Sequence, residues 1–296
     1  MRRLPAERPS AAPRGVLNED RVLGALRWVG LAFFGFITLF PLYTVLISSI
    51  KPLKDVRAAF SWIPERVTFA PYVEIWSTIP LARYFLNSLV VSVSATVISV
   101  AVAVLAAYAI SRYRFVGRGG FRLTVLSTQM FPGILFLLPL FILFVNFDRI
   151  TGIRLYDSYP GLVITYLTFA LPFSIWMLVG YFNAIPREME EAALTDGATV
   201  LGALFRVLIP MSLPGIVAVA IFAFITAWGE VLFASVLTAE STQTLAVGLP
   251  EYASQSNVYY NQLMAASVVV SAPIVVAFLA VQRFLIQGFT AGGVKG

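Results

Sequence analysis

Apolar runs long enough to cross a lipid bilayer recur along the chain and constrain its fold more than any other feature. Such a run needs about 20 residues to cross about 30 Å of hydrocarbon. Of the 296 residues, 59% are hydrophobic and 12% are charged, whereas soluble domains hold about 25% charged residues. Because lipid offers the backbone no hydrogen bonds, only helices or closed barrels are stable there, and continuous runs favour helices. We therefore predict an all-α integral membrane protein.

Six transmembrane helices are expected, separated by polar segments. Their predicted ranges are 28–50, 85–110, 123–147, 161–182, 208–237 and 263–286. Residues 1–27 are predicted to form a disordered tail, 51–84 a long external loop, 85–286 the transmembrane core and 287–296 a second tail. The first run is too long for a signal-peptide core, so the first helix is expected to be retained.

Basic residues set the expected orientation in the cell membrane. Between the predicted spans, 14 Lys and Arg residues fall on the side of the two termini and seven on the other side. Since basic residues are enriched in cytoplasmic segments, both termini are predicted to be cytoplasmic. The excess of 21 basic over 15 acidic residues is attributed to this bias, and no nucleic-acid partner is predicted.

The chain contains no Cys and no His. This excludes thiol nucleophiles, disulfides, imidazole bases and nearly all transition-metal sites. An intramembrane enzyme would then need a Ser–Lys or paired-Asp site within the spans, and the predicted spans hold neither. We predict no catalytic residue, no metal site and no cofactor bound by this chain.

Glu230 is the one acidic residue placed inside a predicted span. A carboxylate in the membrane is unfavourable unless it faces protein or water, and Gly229 weakens the helix beside it. An unwound segment there would let Glu230 line a cavity. A proton relay and a buried structural hydrogen bond are the alternatives, and a relay is disfavoured because no basic group lies nearby. We predict a structural or cavity-lining role.

Two further patterns indicate how the helices pack and bend. Ala95, Ser99, Ala103 and Ala107 form a stripe of small residues, which lets another helix approach closely. Prolines remove backbone hydrogen bonds and are predicted to kink the last four spans. They are Pro132, Pro139, Pro172, Pro210, Pro214 and Pro273.

An acidic segment between the fourth and fifth spans is predicted to form a short helix with a defined end. Pro186 suits the first helical turn, and the acidic residues after it complement the positive end of the helix. Gly197 can adopt the left-handed conformation that ends a helix. A second helix is expected from about Thr199 to Ile209. Together they form a predicted helix–turn–helix that projects from the membrane.

The spacing in this segment resembles a known signature. Glu191-Ala192-Ala193 is followed by three residues, Gly197, nine residues and the run from Val207 to Pro210. The permease subunits of binding-protein-dependent ATP-binding cassette (ABC) importers carry Glu-Ala-Ala, three residues, Gly, nine residues and an Ile-x-Leu-Pro-like end. Val207 and Ile209 replace the usual Ile and Leu with other apolar residues.

Nearly the whole chain after the first tail is similar to the MalG-type permeases of maltose-type carbohydrate importers. The segments that carry this resemblance are Asn87-Ser88, residues 107–109 with Arg112 and Phe115, residues 130–132, residues 244–248 and residues 288–296. The resemblance implies a type I ABC importer permease, with six transmembrane helices and a cytoplasmic coupling helix between the fourth and fifth.

The resemblance also implies function and partners. The chain would form half of the pathway of an ATP-driven importer of maltose-like or maltodextrin-like oligosaccharides or a related glycoside. The partners would be a second permease subunit, two ATPase subunits and an extracytoplasmic sugar-binding protein. ATP and Mg²⁺ would bind the ATPase, since this chain lacks the G-x-x-x-x-G-K-[ST] phosphate loop. An ion-gradient-driven secondary transporter is the alternative, but it would need ion-coordinating groups near the midplane.

Three sets of contact residues follow from the same resemblance. The ATPase-docking coupling helix would comprise Glu190, Glu191, Ala192, Ala193, Asp196, Gly197 and Ala198. The C-terminal tail would reach the ATPase interface through Thr290, Gly292, Gly293 and Lys295. The last external loop would contact the binding protein through Glu251, Tyr252, Ser254 and Gln255, although its aromatic residues could equally form an interfacial belt. No sugar ligand is predicted in this chain, because that site lies mainly on the partner permease in the maltose-type family.

Overall fold

The computed structural model describes residues 16–58, 61–253 and 258–292, and these residues form a helical bundle. Its α-helices are α1 Val16–Ser49, α2 Leu53–Arg57, α3 Ala70–Thr78, α4 Leu81–Arg112, α5 Arg118–Thr128, α6 Leu137–Thr151, α7 Tyr159–Ala184, α8 Glu188–Thr195, α9 Val200–Ala203, α10 Ile209–Met211, α11 Leu213–Trp228, α12 Leu232–Leu237, α13 Leu245–Gly248 and α14 Tyr260–Gly292. Short 3₁₀ turns lie at Gly133–Phe136 and Leu249–Tyr252, and a π-helical turn at Leu204–Leu208. The described residues contain no strand, so the all-α prediction is confirmed.

Five helices in the described part of the chain are long and apolar enough to cross a membrane, and a bent pair can be counted as a sixth. The five are Arg21–Ser49, Leu81–Arg112, Gly133–Thr151, Tyr159–Ala184 and Tyr260–Gln282. The bent pair is Val200–Met211 with Leu213–Trp228, whose axes differ by 79°. The six predicted spans correspond to these segments in order.

The third span is not the single helix that was predicted over 123–147. Helix α5 ends at Thr128, the chain passes through a 3₁₀ turn, and α6 begins at Leu137. Pro132 lies in the break, where it supplies no backbone N–H and disfavours the helical conformation of the residue before it. The apolar stretch that can cross the membrane therefore starts near Gly133 rather than at residue 123.

The fifth span, predicted over 208–237, is also interrupted. Pro214 lies in the first turn of α11, just after the 79° bend. The helix then stops at Trp228, and α12 starts only at Leu232. Gly229 and Glu230 lie in this second break, at the position where the sequence predicted unwinding.

Several predicted boundaries need correction. Helix α1 begins at Val16, because the apolar spacing of Val22, Leu23 and Leu26 continues the first span into the predicted tail. The predicted loop 51–84 contains α2 and α3, and α3 packs against α14. Helix α14 continues to Gly292, beyond the predicted end at residue 286.

The centre of the bundle is the contact between α4 and α7, which pack on each other more extensively than any other pair of described helices. The predicted small-residue stripe of α4 is buried, with Ala95, Ser99, Ala103 and Ala107 each no more than 1% exposed. Ser99 Oγ and Ser174 Oγ lie 3.3 Å apart across this contact. We call the end of the bundle where α4 and α7 finish the hairpin end, and the end where they begin the far end.

Candidate functional site

The segment from α8 to α10 forms a helical hairpin at the hairpin end, and local hydrogen bonds fix its turn. Gly197 has a φ of +88°, the left-handed conformation that the sequence led us to expect. The N–H of Ala198 donates to the carbonyl of Ala193 at 3.0 Å, and that of Gly197 to Leu194 at 3.1 Å. This pair of bonds is the Schellman ending of a helix. Thr199 then caps α9 by accepting from the N–H of Gly202 at 3.1 Å.

A buried ion pair fastens α8 to the end of α4. Arg112 Nε lies 2.8 Å from Glu190 Oε2, and the two side chains are only 7% and 10% exposed. The hydroxyl of Tyr108 donates to the other carboxylate oxygen of Glu190. Glu190 was predicted to face the ATPase, but the structure directs it into the protein. We therefore remove it from the docking set and assign it to holding the hairpin.

Two further hydrogen bonds strengthen this attachment. Arg187 Nη2 donates to the carbonyl of Ser111 at 3.0 Å, and Arg112 Nη2 to the carbonyl of Ile185 at 3.3 Å. The second half of the hairpin is held by packing, since Leu204 and Leu208 are fully buried in the core between α4 and α7. The hairpin is thus joined firmly to both central helices.

The exposed surface of the hairpin, which we call its outer face, carries apolar and acidic side chains. Met189 is 47% exposed, Leu201 60% and Phe205 61%. Of the predicted docking residues, Glu191, Ala192, Asp196 and Gly197 are exposed, whereas Ala193 and Ala198 are half-buried. Met189 and Leu201 were not singled out from the sequence, because alone they cannot be distinguished from core residues.

At the far end, Asp157 joins two loops that are distant in sequence. It is 8% exposed and adopts a φ of +50°, a conformation that Asp tolerates better than most residues. Its carboxylate accepts from the N–H of Ala239 at 2.8 Å, from Ser241 Oγ at 2.8 Å and from Thr242 Oγ1 at 2.5 Å. Burial alone would raise the pKa of Asp157, but these hydrogen bonds and the charge of Arg154 lower it overall.

The start of α4 holds the same loop. Asn87 Nδ2 donates to the carbonyls of Ser241 and Gln243 at 3.1 and 2.8 Å, and Asn87 Oδ1 accepts from Tyr159 at 2.7 Å. Ser88 Oγ accepts from the N–H of Leu245 at 2.8 Å. Asn87 and Ser88 were noticed in the sequence as part of the resemblance, and Asp157 was missed.

The predicted binding-protein loop is partly a structural element. Tyr252 is fully buried, and its hydroxyl donates to the carbonyl of Ile75 at 2.5 Å. Its side chain thus has no surface to offer a partner, and we correct its assignment to an anchor for α3. Glu251 is exposed and accepts from the hydroxyl of Tyr84 at 3.1 Å. Ser254 and Gln255 lie outside the described residues.

Glu230 lines a cavity of about 250 Å³ together with Tyr166, Phe169 and Thr226. One carboxylate oxygen accepts from the N–H of Phe233 and the other from that of Ala234, each at 2.9 Å. These bonds satisfy free N–H groups in the first turn of α12. The structural and the lining roles are therefore combined in one side chain.

The predicted ATPase-interface tail is described only in part. Thr290 and Gly292 belong to the backbone of α14, while Gly293 and Lys295 lie outside the described residues.

Comparison with known proteins places these features in context. Residues 99–290 match the family model described as binding-protein-dependent transport system inner membrane component. The chain is 40% identical over 273 residues to the inner membrane ABC transporter permease protein YcjP of Escherichia coli, with 91% of this chain and 95% of that protein covered. It is 30% identical to the trehalose/maltose transport system permease protein MalG of Thermococcus litoralis, over 95% of this chain and all of that protein.

A solved structure has the same architecture. A chain of a bacterial ABC transporter involved in import of the acidic polysaccharide alginate matches with a TM-score of 0.75 and 25% identity. The match covers 93% of this chain and 99% of that chain.

Proposed function

Because the chain belongs to the family of binding-protein-dependent transport system inner membrane components, we propose that it forms half of the translocation pathway of an ATP-driven sugar importer. It is a multi-pass inner-membrane permease of an ABC transporter, and the alternative of an ion-gradient-driven transporter is set aside on this family assignment. The transported class is a maltose-like or trehalose-like oligosaccharide or a related glycoside, as in the relatives that share its length.

The observation that carries this proposal is the contrast between the two faces of the hairpin. Its inner face is fixed by the buried Arg112–Glu190 pair, while its outer face exposes Met189, Leu201 and Phe205. Large apolar side chains exposed beside acidic ones indicate an interaction site. A rigid attachment beneath such a surface suits a partner that pushes on it rather than one that merely binds.

We assign the outer face to a cleft of an ATPase subunit. ATP and Mg²⁺ bind that subunit, and this chain itself performs no hydrolysis. When two ATPase subunits close on ATP, each displaces one hairpin as a rigid body, and the displacement passes into α4 and α7. The hairpin end and both termini are then cytoplasmic, and Thr290 and Gly292, at the end of α14, lie towards the ATPase interface.

The far end is assigned to an extracytoplasmic sugar-binding protein. Asp157 and Asn87 hold the loop over 238–245 in place, and Tyr252 anchors the segment after it. Glu251, exposed beside this anchored surface, is the contact residue we retain among those described. A second permease subunit completes the pathway, and the cavity lined by Glu230 forms part of the half that this chain contributes.

The docking assignment is tested by co-purification. The chain is co-expressed with a tagged ATPase and the second permease, and the amount recovered with the tag is measured. Phe205→Asp places a charge on the apolar docking face and should reduce recovery at least about tenfold, which corresponds to a loss of about 1.4 kcal/mol. Glu191→Lys reverses charge on the same face and should reduce recovery less.

The matched control is Ile153→Asp, which introduces the same charge at a 58% exposed apolar residue near the far end. It should leave recovery unchanged. If Phe205→Asp is recovered as well as the wild type, the docking face lies elsewhere.

A further inference from the structure

A hollow of about 420 Å³ lies between α5 and α7 at the hairpin end, outside the sites described above. Its size falls in the range of about 300–1,000 Å³ typical of small-molecule sites. Its main lining residues are Arg122, Trp176, Met177, Gly180, Tyr181 and Asn183. A much smaller hollow that shares Arg122 with it is also lined by Ile110, Val125 and Ile175.

The charge at this hollow is uncompensated. Arg122 forms neither an ion pair nor a hydrogen bond within the described residues, and no carboxylate lines the hollow. Arg118, one turn earlier on the same face of α5, has a buried Nε without a hydrogen-bond partner among the described residues. Apart from Arg112, which pairs with Glu190, residues 113–122 contain three Arg and no acidic residue. Arg122 is exposed, whereas the Nε of Arg118 is withdrawn from water and therefore requires a partner. An anion between the two side chains would complement both charges.

The other lining residues are those of a membrane boundary. Trp176 is 53% exposed, and Trp and Tyr are enriched where a bilayer meets water. Met177 and Val179 give the hollow an apolar wall, and the Asn183 amide can bond to a hydroxyl or ester group. A free phosphate ion would satisfy the arginine but leave this apolar wall uncovered. A phospholipid would satisfy both.

We propose that this hollow binds an anionic phospholipid such as phosphatidylglycerol. Its phosphodiester accepts hydrogen bonds from the Arg122 guanidinium, whose planar fork matches phosphate oxygens, and an acyl chain lies along the apolar wall. Basic pockets between transmembrane helices on the cytoplasmic side bind anionic lipid headgroups in the same way. Because α5 and α7 lie next to the attachment of the hairpin, such a lipid would stabilise the end of the bundle that the hairpin displaces.

Native mass spectrometry can test the proposal. The full-length protein, delipidated in detergent, is mixed with equal amounts of phosphatidylglycerol and phosphatidylcholine, and the lipid retained is counted. The wild type should retain phosphatidylglycerol preferentially. Arg122→Gln should reduce this retention at least about fivefold, and so should Gly180→Leu, which fills the hollow. A Cβ at Gly180 would meet no atom within 4 Å, so this variant should fold normally.

Arg114→Gln is the matched control, because Arg114 is exposed in the same basic segment but does not line the hollow. It should retain phosphatidylglycerol within about twofold of the wild type, well short of the loss expected at the site. Equal losses in Arg114→Gln and Arg122→Gln would show diffuse charge attraction and overturn the site. Equal retention of both lipids by the wild type would overturn it too, as would complete displacement of phosphatidylglycerol by inorganic phosphate.

Discussion

Arg112 decides how the hairpin sits on the bundle. It is nearly buried, it pairs with a buried carboxylate, and it also bonds the backbone just before α8. A buried ion pair is weak evidence for stability, since an apolar pair can serve as well, but it fixes one arrangement of the partners. At this position a fixed arrangement is what transmission of movement requires.

Removing one partner of the pair should destabilise the protein strongly. Arg112→Met leaves the Glu190 carboxylate buried without its cation, which typically lowers the free energy of unfolding by about 3–5 kcal/mol. The thermal stability of the purified protein in detergent should fall accordingly. The double variant R112M/E190M should recover much of it, because no buried charge remains. A double variant as unstable as Arg112→Met would contradict this account, and Arg114→Met, at an exposed neighbour, serves as the control.

Gly197 is needed for its backbone conformation rather than for space. A Cβ there would meet nothing within 4 Å, but a side chain at a φ of +88° is strained by about 1–2 kcal/mol. That strain shifts the population of the correct turn by about 5- to 30-fold. Gly197→Val should therefore insert into the membrane normally yet co-purify poorly with the ATPase. Gly119→Ala, at a helical glycine with equally open space, should behave as the wild type. Undiminished recovery of Gly197→Val would refute this role.

Among the elements, α12 depends on the carboxylate before it. Glu230 supplies acceptors to two N–H groups of the first turn, and losing such a cap typically lowers the free energy of unfolding by about 0.5–2 kcal/mol. We expect Glu230→Ala to lose stability and transport activity, and Glu230→Gln to lose less of both, because its amide oxygen can still accept from one of the two N–H groups. Sugar uptake by reconstituted complexes distinguishes the two. Uptake abolished equally by both variants would instead favour the proton relay.

The far-end loops should respond to acid through Asp157. Because the folded-state pKa of Asp157 lies below the ordinary value of about 3.8, its ionised form stabilises the fold. This contribution is fully present above that ordinary value and is lost as the pH falls through the lowered pKa. The protection of residues 238–245 against hydrogen exchange, taken relative to the intrinsic rate at each pH, should therefore fall in acid.

The matched variant is Asp157→Asn, which keeps the shape but removes the charge. Its exchange at neutral pH should already be faster than that of the wild type, and its response to acid should be weaker. Equal acid responses in the two proteins would assign the effect to another carboxylate.

Across the whole molecule, the features that the lipid environment requires could be predicted from the sequence. Contacts between residues distant in the chain could not. Span order and helical class follow from hydropathy, since lipid leaves the backbone few alternatives. The hairpin ending at Gly197 was also predictable, because its hydrogen bonds are local. The partners of Asp157 lie 82 to 85 residues further along the chain, and Glu190 bonds to residues about as far before it. No local pattern encodes such pairings, so an acidic segment was interpreted as wholly outward-facing when one of its carboxylates points inward.

Helix α4 joins these distant contacts into one mechanical part. Near its start, Asn87 and Ser88 form hydrogen bonds to the far-end loop. Near its end, Tyr108 and Arg112 bind Glu190 of the hairpin through a hydrogen bond and an ion pair. Its 32 residues make a rod of about 48 Å, and they include neither Gly nor Pro, whereas α1, α7 and α14 each contain an internal proline. A rod without a flexible joint cannot absorb a push at one end. Under the proposed function, docking of a binding protein outside and closure of the ATPases inside would therefore displace the same helix. A displacement at either end of α4 would be transmitted to the other end.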